Sequence, residues 1–157
     1  MICQLYHRKK TKTISKIKEL CKVEKIDTVL INMYYYDILH FDYLSLYEDA
    51  GFKIVTAGHQ LDLNFVSRLK SLIEICDFTA ANSVGTHLGY CVYMGKPHLI
   101  IDDEIINKTN FEDYKEIGYS FTDYYSKLQD KQLDVVSKYW GFNDVKDRTE
   151  LRNLLLM

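Results

Sequence analysis

The spacing of hydrophobic residues along the chain predicts strands that alternate with helices. Strands are predicted at four short apolar runs, residues 28–32, 52–56, 78–81 and 99–101. Between these runs, hydrophobic residues recur at helical spacing over residues 14–21, 37–49 and 65–73, and Asp62 is predicted to cap the last of these helices. Such alternation favours parallel strands joined by right-handed crossovers. We therefore predict an α/β fold, a Rossmann-like parallel sheet flanked by helices.

The last part of the chain shows helical rather than strand patterns. Helices are predicted over residues 123–139, ending at Trp140-Gly141, and over residues 143–155. The sequence contains neither an internal repeat nor a Gly/Ser-rich linker. We therefore expect residues 1–157 to form a single Rossmann-like domain with C-terminal helices from about residue 122.

The turn at residues 82–86 is the strongest functional signal in the sequence. It follows the strand at 78–81 and opens a short helix, which Gly95 and Pro97 bring to an end. Ser83 is the predicted N-cap of this helix, and Gly85 lets a ligand approach the backbone. Unpaired amides around residues 84–87, with the positive end of the helix dipole behind them, attract phosphate.

A second interpretation of this turn stays open. Ser83, Gly85 and Thr86 are also typical turn and capping residues, and the sequence lacks a complete dinucleotide-binding or P-loop motif. Support for the phosphate interpretation comes from the other predicted strand ends, because ligands bind parallel sheets beyond the carboxyl ends of their strands. His59 follows the strand at 52–56 and could donate to a phosphate in a pH-dependent contact.

The candidate site is therefore a group of residues at this edge of the sheet. The predicted phosphate-binding residues are Gly58, His59, Ser83, Val84, Gly85 and Thr86, with Asn82, His87, Arg68 and Tyr35 as secondary candidates. Arg68 has the alternative of a plain surface position, and the tyrosines at 34–36 have the alternative of packing rather than stacking on a base. No catalytic residue is identified.

Composition and charge narrow the class of protein. A 157-residue chain with 47% hydrophobic residues can form an ordinary core, and a net charge of −2 argues against a dedicated nucleic-acid binder. No apolar run reaches the roughly 20 residues that span a bilayer, and the N-terminus does not resemble a signal peptide. We expect a cytoplasmic protein without a transmembrane segment, with peripheral attachment to the inner face of the membrane left open.

The cysteines do not indicate a metal site. Four cysteines occur singly, with no C-x-x-C pair and no histidine at metal-ligand spacing, so reduced core thiols are expected. Cys91 has His87 one helical turn earlier, which would suit a nucleophile pair, but its apolar neighbours favour an inert buried thiol. We expect neither a metal nor a cofactor.

The turn and the segment that follows it resemble a known enzyme family. The run Asn82-Ser-Val-Gly-Thr86, then Tyr93-Met-Gly-Lys-Pro97 and an apolar strand, resembles the C-terminal half of GT-B-type glycosyltransferases. His59 followed by the Ser83 turn is also similar to bacterial sialyl- and polysialyltransferases and to glycerophosphotransferases, and residues 56–97 resemble capsular-polysaccharide proteins. The resemblance implies that the turn holds the diphosphate of a nucleotide-sugar donor and that His59 and Ser83 contact the nucleotide.

The sequence departs from that family in two respects. Many of these transferases carry a carboxylate for the donor ribose or sugar where this chain has Gly89 and Tyr90; Asp102 or Asp103 would be a substitute. A GT-B enzyme also has two Rossmann-like domains, and this chain is long enough for only one.

Three functions therefore remain open. The predicted function is the nucleotide-sugar-binding domain of a glycosyltransferase in surface polysaccharide biosynthesis, completed by an acceptor-binding domain or subunit. The alternative is a non-catalytic Rossmann-like module that pairs with a separate acceptor-binding subunit; a homodimer is left open. A receiver-like signalling domain is the remaining alternative, although its acidic pocket is missing.

Overall fold

A computed structural model of the chain describes residues 1–4, 10–40, 44–101, 106 and 110–156. Within them, short strands pair in parallel into a five-stranded sheet of order β3-β2-β1-β4-β5. The strands are β1 (Ile2–Gln4), β2 (Leu30–Asn32), β3 (Lys53–Val55), β4 (Thr79–Ala81) and β5 (His98–Ile100). The predicted α/β class is confirmed, as a small domain of parallel strands and helices.

Helices connect and follow the strands. The helices are α1 (Lys10–Glu24), α2 (Tyr35–His40), α3 (Leu44–Asp49), α4 (Phe65–Glu74), α5 (Thr86–Tyr93), α6 (Glu112–Tyr119), α7 (Asp130–Trp140) and α8 (Arg148–Leu155), with a 3₁₀ turn at Phe142–Asp144. In the described part of the chain, the helices are too short or too polar to cross a membrane.

The central strand of the sheet is one that the hydrophobic pattern did not predict. β1 pairs with β2 on one side, Ile2 opposite Leu30, and with β4 on the other, Ile2 opposite Thr79. With three residues, β1 is too short to show any periodicity. The prediction of four strands was therefore wrong, because it missed β1. Its position brings the carboxyl ends of β2 and β4 to the same edge as its own.

Buried side chains on successive strand residues pack against different helices. Ile31, Ala80 and Leu99 belong to one cluster with Ile17 of α1. Ile100, the residue after Leu99, instead packs with α5, α6 and α7. Because successive residues of a strand point to opposite faces of a sheet, the two clusters lie on opposite sides of β5.

Two predicted helix caps were wrong. α4 begins at Phe65 behind Asn64, so Asp62 lies too early to cap it; its carboxylate instead accepts from the Asn64 amide at 2.7 Å. α5 begins at Thr86 behind an extended Gly85, so Ser83 does not cap it either. The predicted end of α5 is confirmed, because Gly95 has a left-handed φ of 71°.

The C-terminal helices also differ from the prediction. α6 lies in a stretch for which no helix was predicted, and α7 begins at Asp130 rather than near residue 123. The start of α7 is fixed by Gln132, a buried side chain whose Oε1 accepts from the Gln129 amide at 3.3 Å and whose Nε2 donates to the Ser120 carbonyl at 3.2 Å. The Ser120 contact joins residues far apart in the sequence and gives no local signal.

A glycine fixes how closely α5 packs against α7. A Cβ on Gly89 would lie only 2.7 Å from Cε2 of Trp140 and still closer to other atoms of the indole ring. Gly89 is buried in the middle of α5, where glycine has a lower helix propensity than alanine. The glycine is therefore explained by the close approach of the indole.

We predict that Gly89→Ala lowers the free energy of unfolding by about 1–3 kcal/mol, the usual cost of overpacking a core. Urea unfolding followed by far-UV circular dichroism measures it. The same change made in a Trp140→Ala background is the control. There the clash is gone, so alanine should be neutral or stabilising by up to about 1 kcal/mol because of its helix propensity. An equal loss in both backgrounds would contradict this account.

Candidate functional site

A cavity of about 410 Å³ lies at the carboxyl ends of β2 and β3, against α4 and α5. We call it the strand-end cleft. It is lined by Asn32, Met33, Tyr34 and Asp37 at the end of β2, by Ala57, Gly58 and Gln60 after β3, by Phe65 and Leu69 of α4, and by Thr86, His87 and Tyr90 of α5. This is the edge of the sheet at which the sequence predicted a site.

The structure brings only part of the predicted site to this cleft. Gly58, Thr86 and His87 line it. The described wall does not include His59, Asn82, Ser83, Val84, Gly85, Arg68 or Tyr35. Residues 102–105, which contain the predicted carboxylates Asp102 and Asp103, lie outside the described residues. Ligand binding by these residues stays a prediction.

The first turn of α5 lies at the wall of the cleft. The earliest bond of this helix runs from the Leu88 amide to the Gly85 carbonyl at 3.0 Å. The amides of Thr86 and His87 precede that bond, so the helix itself provides no acceptor for them. Because both residues line the cleft, the positive end of the α5 dipole lies at its wall.

One amide of the predicted phosphate turn is occupied by the protein itself. The Val84 amide donates to the Tyr114 hydroxyl at 3.1 Å, and that hydroxyl donates to the Val84 carbonyl, also at 3.1 Å. Burial raises the pKa of Tyr114, so its hydroxyl keeps its proton at neutral pH. The prediction that the Val84 amide is unpaired was therefore wrong.

The loop after β3 is held in place by Arg68. Its Nε donates to the Ala57 carbonyl at 2.8 Å, and its Nη2 lies 2.8 Å from Oδ2 of Asp62. The Arg68 contact holds the pKa of Asp62 below its usual value, with a further contribution from the Asn64 amide. Gly58 has a φ of +87°, and a Cβ there would lie 2.7 Å from Nη2 of Arg68. Arg68 thus supports the glycine turn that lines the cleft.

His59 lies beside the cleft lining rather than in it. Its Nδ1 accepts from the Leu61 amide at 3.1 Å, which leaves Nε2 to carry the proton in the neutral ring. Tyr35 packs edge-on against the imidazole with the ring centroids 4.7 Å apart. Tyr35 therefore packs against His59, as the alternative to stacking on a base predicted. The Nε2–H group of the neutral His59 ring is the donor that a ligand could accept from.

Behind the cleft wall lies a pair of buried histidines. The His87 and His98 ring centroids are 5.5 Å apart. Thr79 donates its hydroxyl proton to the Pro97 carbonyl at 2.9 Å, so its oxygen, 2.8 Å from Nδ1 of His98, accepts from that nitrogen. Burial lowers the pKa of His87 to about 4, and burial together with His87 lowers the pKa of His98 well below its usual value.

The thiol near His87 is inert. Burial raises the pKa of Cys91 to about 12, so a Cys–His nucleophile pair is not supported. Cys21, Cys76 and Cys91 are free thiols, as the sequence predicted for them. Among the described residues, no group of three or more His, Cys, Asp or Glu side chains is placed to hold a metal ion.

Several lining residues were not predicted as ligand contacts. Asp37 was placed in a helix at the end of β2, and the sequence did not show that it would be buried, with 8% of its surface exposed. Phe65 and Leu69 were assigned to the apolar stripe of α4, and the structure places that stripe against the cleft as well. A hydrophobic pattern shows which face is buried but not whether a cavity adjoins it.

Comparisons with known proteins leave the family of this chain undetermined. No protein-family model matches the sequence, and searches of curated proteins and of solved structures give no significant match. The glycosyltransferase resemblance therefore depends on the sequence pattern over roughly residues 28–101.

The buried histidines predict a pH-dependent stability. The folded protein holds His87 neutral down to about pH 4, whereas the unfolded chain takes up a proton near the ordinary value of 6.5. Stability should therefore fall as the pH drops from about 6.5 towards 4, by up to about 1.4 kcal/mol per pH unit for each such histidine. Urea unfolding at pH 7, 6 and 5 measures the slope.

His87→Gln should flatten that slope, because it removes one of the groups that the unfolded chain protonates. His59→Gln, at a half-buried position, is the matched control for the loss of a histidine. If His87→Gln and His59→Gln leave equal slopes, His87 is not held neutral by burial.

Proposed function

We propose that the strand-end cleft binds the phosphate end of a nucleotide and that the chain is the nucleotide-sugar-binding domain of a glycosyltransferase involved in surface polysaccharide biosynthesis. The observation that carries the proposal is the convergence of the first amides of α5 and the Gly58 turn on one cavity. Backbone amides at a helix N-terminus are a common phosphate-binding arrangement. The nucleotide-sugar part comes from the sequence resemblance.

The order of the strands supports the proposal. The order β3-β2-β1-β4-β5 matches the first five strands of the doubly wound sheets that bind dinucleotides. In such Rossmann-like sheets, the ligand binds beyond the carboxyl ends of the strands, where the order of connection reverses. Here the chain runs outward from β1 to β3 and then crosses to β4 on the other side.

The size and lining of the cleft also fit a nucleotide. Its volume of about 410 Å³ lies within the roughly 300–1,000 Å³ that is usual for small-molecule sites. Tyr34, Phe65 and Tyr90 supply aromatic surface for a base. His87 is neutral at pH 7 and Arg68 is paired with Asp62, so oriented amides supply much of the positive potential that a phosphate would meet.

Turnover would need more than this domain. In GT-B enzymes the reaction takes place between two domains, so we propose that an acceptor-binding domain or subunit completes the active site. The donor would then be the substrate, with no cofactor or metal required, since amides offset phosphate charge directly. A cytoplasmic location remains part of this proposal.

A non-catalytic module that pairs with an acceptor-binding subunit is the second candidate, and exposed apolar side chains favour it. Leu61 and Leu63, in the loop between β3 and α4, are 81% and 99% exposed. Leu155 at the end of α8 is 84% exposed, and none of the α8 side chains is buried. Exposed apolar surface of this kind is typical of protein interfaces.

Replacing Thr86 tests the proposed phosphate site. Thr86→Pro removes the amide proton at the first residue of α5, where proline is well tolerated, and the extended Gly85 suits the position before a proline. We expect the affinity for a nucleoside diphosphate to fall by about tenfold or more, because a hydrogen bond to a charged group contributes about 1.5–3 kcal/mol. Calorimetric titration with UDP, CMP, CDP and GDP measures it.

Thr86→Ala is the matched control, because it keeps the amide and removes only the side chain. The affinity of Thr86→Ala for a nucleoside diphosphate should stay within about threefold of that of the natural protein, as for most substitutions at exposed positions. If Thr86→Pro binds as well as Thr86→Ala, or if none of the four nucleotides binds, the proposed function is wrong. The second candidate would then be preferred, since it needs no nucleotide.

A further inference from the structure

We infer that a single water molecule is bound behind the wall of the strand-end cleft, where it donates a hydrogen bond to Nε2 of His98. A second, much smaller cavity of about 10 Å³ lies there, between the sheet and the helices α4 and α5. We call it the histidine cavity. It is lined by Asn32, Ala80 and His98 of the strands, by Leu69 and Ile73 of α4, and by His87 and Cys91 of α5. Asn32, Leu69 and His87 also line the strand-end cleft, so the two spaces share a wall.

The ring of His98 has one nitrogen that the described part of the chain does not bond. The side chain is 1% exposed, so bulk water does not reach it. Nδ1 donates to the Thr79 hydroxyl oxygen at 2.8 Å, and that hydroxyl donates its own proton to the Pro97 carbonyl. Because a neutral imidazole carries one proton, Nε2 is left with a lone pair and can only accept. Among the described residues, no group donates to it.

A buried acceptor of this kind calls for a donor from outside the chain. Nearly all buried polar groups in folded proteins have a hydrogen-bond partner, either in the protein or in an ordered water molecule. Protonation of Nε2 does not solve the problem, because it would place a charge in a fully buried site. Burial, together with the neighbouring His87, lowers the pKa of His98 well below its usual value, so the ring stays neutral. The missing partner is therefore a neutral donor.

The size and the lining of the histidine cavity fit one water molecule. A buried water needs roughly 10–15 Å³ of free space and two to four polar partners. The volume of about 10 Å³ reaches the lower end of that range and is too small for a phosphate or a sugar. Nε2 of His98 is one partner, and the side-chain carbonyl of Asn32 can be a second. A carbonyl oxygen accepts two hydrogen bonds, so Asn32 can bond the water in addition to its other contacts.

A metal ion is the main alternative occupant, because two histidines and a cysteine line the cavity. The geometry argues against it. In the part of the chain that the structure describes, no group of three or more His, Cys, Asp or Glu side chains is placed to hold a metal. A water molecule needs neither such a set of ligands nor a deprotonated thiol.

A crystal structure of the full chain, at a resolution that shows ordered waters, tests the inference directly. We expect a density peak in the histidine cavity about 2.7–3.2 Å from Nε2 of His98, the range of a hydrogen bond. A peak at about 2.0–2.1 Å from Nε2 would instead be a metal ion and would overturn the inference. An empty cavity, or a protein group that donates to Nε2, would overturn it as well.

A second test uses the protein in solution. Magnetic relaxation dispersion of the solvent counts the water molecules that stay bound for a long time. The natural protein should show one more long-lived water than His98→Phe, because phenylalanine fills the place of the imidazole without an acceptor. His59→Phe, at a half-buried position outside the cavity, is the matched control and should keep the count of the natural protein. Equal counts in the natural protein and in His98→Phe would contradict the inference.

The natural protein also provides a test that needs no variant. We expect a nuclear Overhauser effect between water and the His98 ring protons Hε1 and Hδ2, which flank Nε2, with the sign of a long-lived complex. If circular dichroism shows that His98→Phe does not fold, this signal decides, and its absence overturns the inference. None of these measurements uses a nucleotide, so their outcome is independent of the proposed function.

Discussion

The parallel pairing of β1 with its two neighbours is the constraint on which the described fold depends. β1 bonds to β2 on one side and to β4 on the other, and the Leu30 amide donates to the Met1 carbonyl at 2.9 Å. This double pairing fixes the register of both halves of the sheet. Because all the strands run the same way, the loops that could bind a ligand end on one edge, and the strand-end cleft lies there.

The position of α5 is the second determinant of the cleft. Gly89 allows the helix to approach Trp140 of α7, and Tyr114 of α6 holds the turn before the helix through both polar groups of Val84. The start of α5 is therefore fixed by contacts from the C-terminal helices. Arg68 is paired with Asp62, and burial keeps His87 neutral at pH 7.

Predictions that depend on neighbouring residues were more accurate than predictions that depend on contacts between distant parts of the chain. Glycine turns such as Gly95 are local conformational effects, and the sequence placed that turn correctly. The start of α7 depends on Gln132 reaching the Ser120 carbonyl, and the Val84 amide is bonded to the Tyr114 hydroxyl; both are contacts across the fold. The site was predicted at the correct edge of the sheet, but only Gly58, Thr86 and His87 of its predicted residues line the cleft.

The sequence by itself determined the alternation of helices and strands and the edge at which their polar turns meet, because hydrophobic period and glycine turns act over a few neighbouring residues. Only the tertiary structure decided that β1 is the central strand, that Asp37 is buried and that the Val84 amide is already bonded. Each of these depends on groups brought together from distant positions. A local sequence pattern does not predict such contacts, because the contacts form, and stabilise the fold, only when the sheet and its helices have assembled.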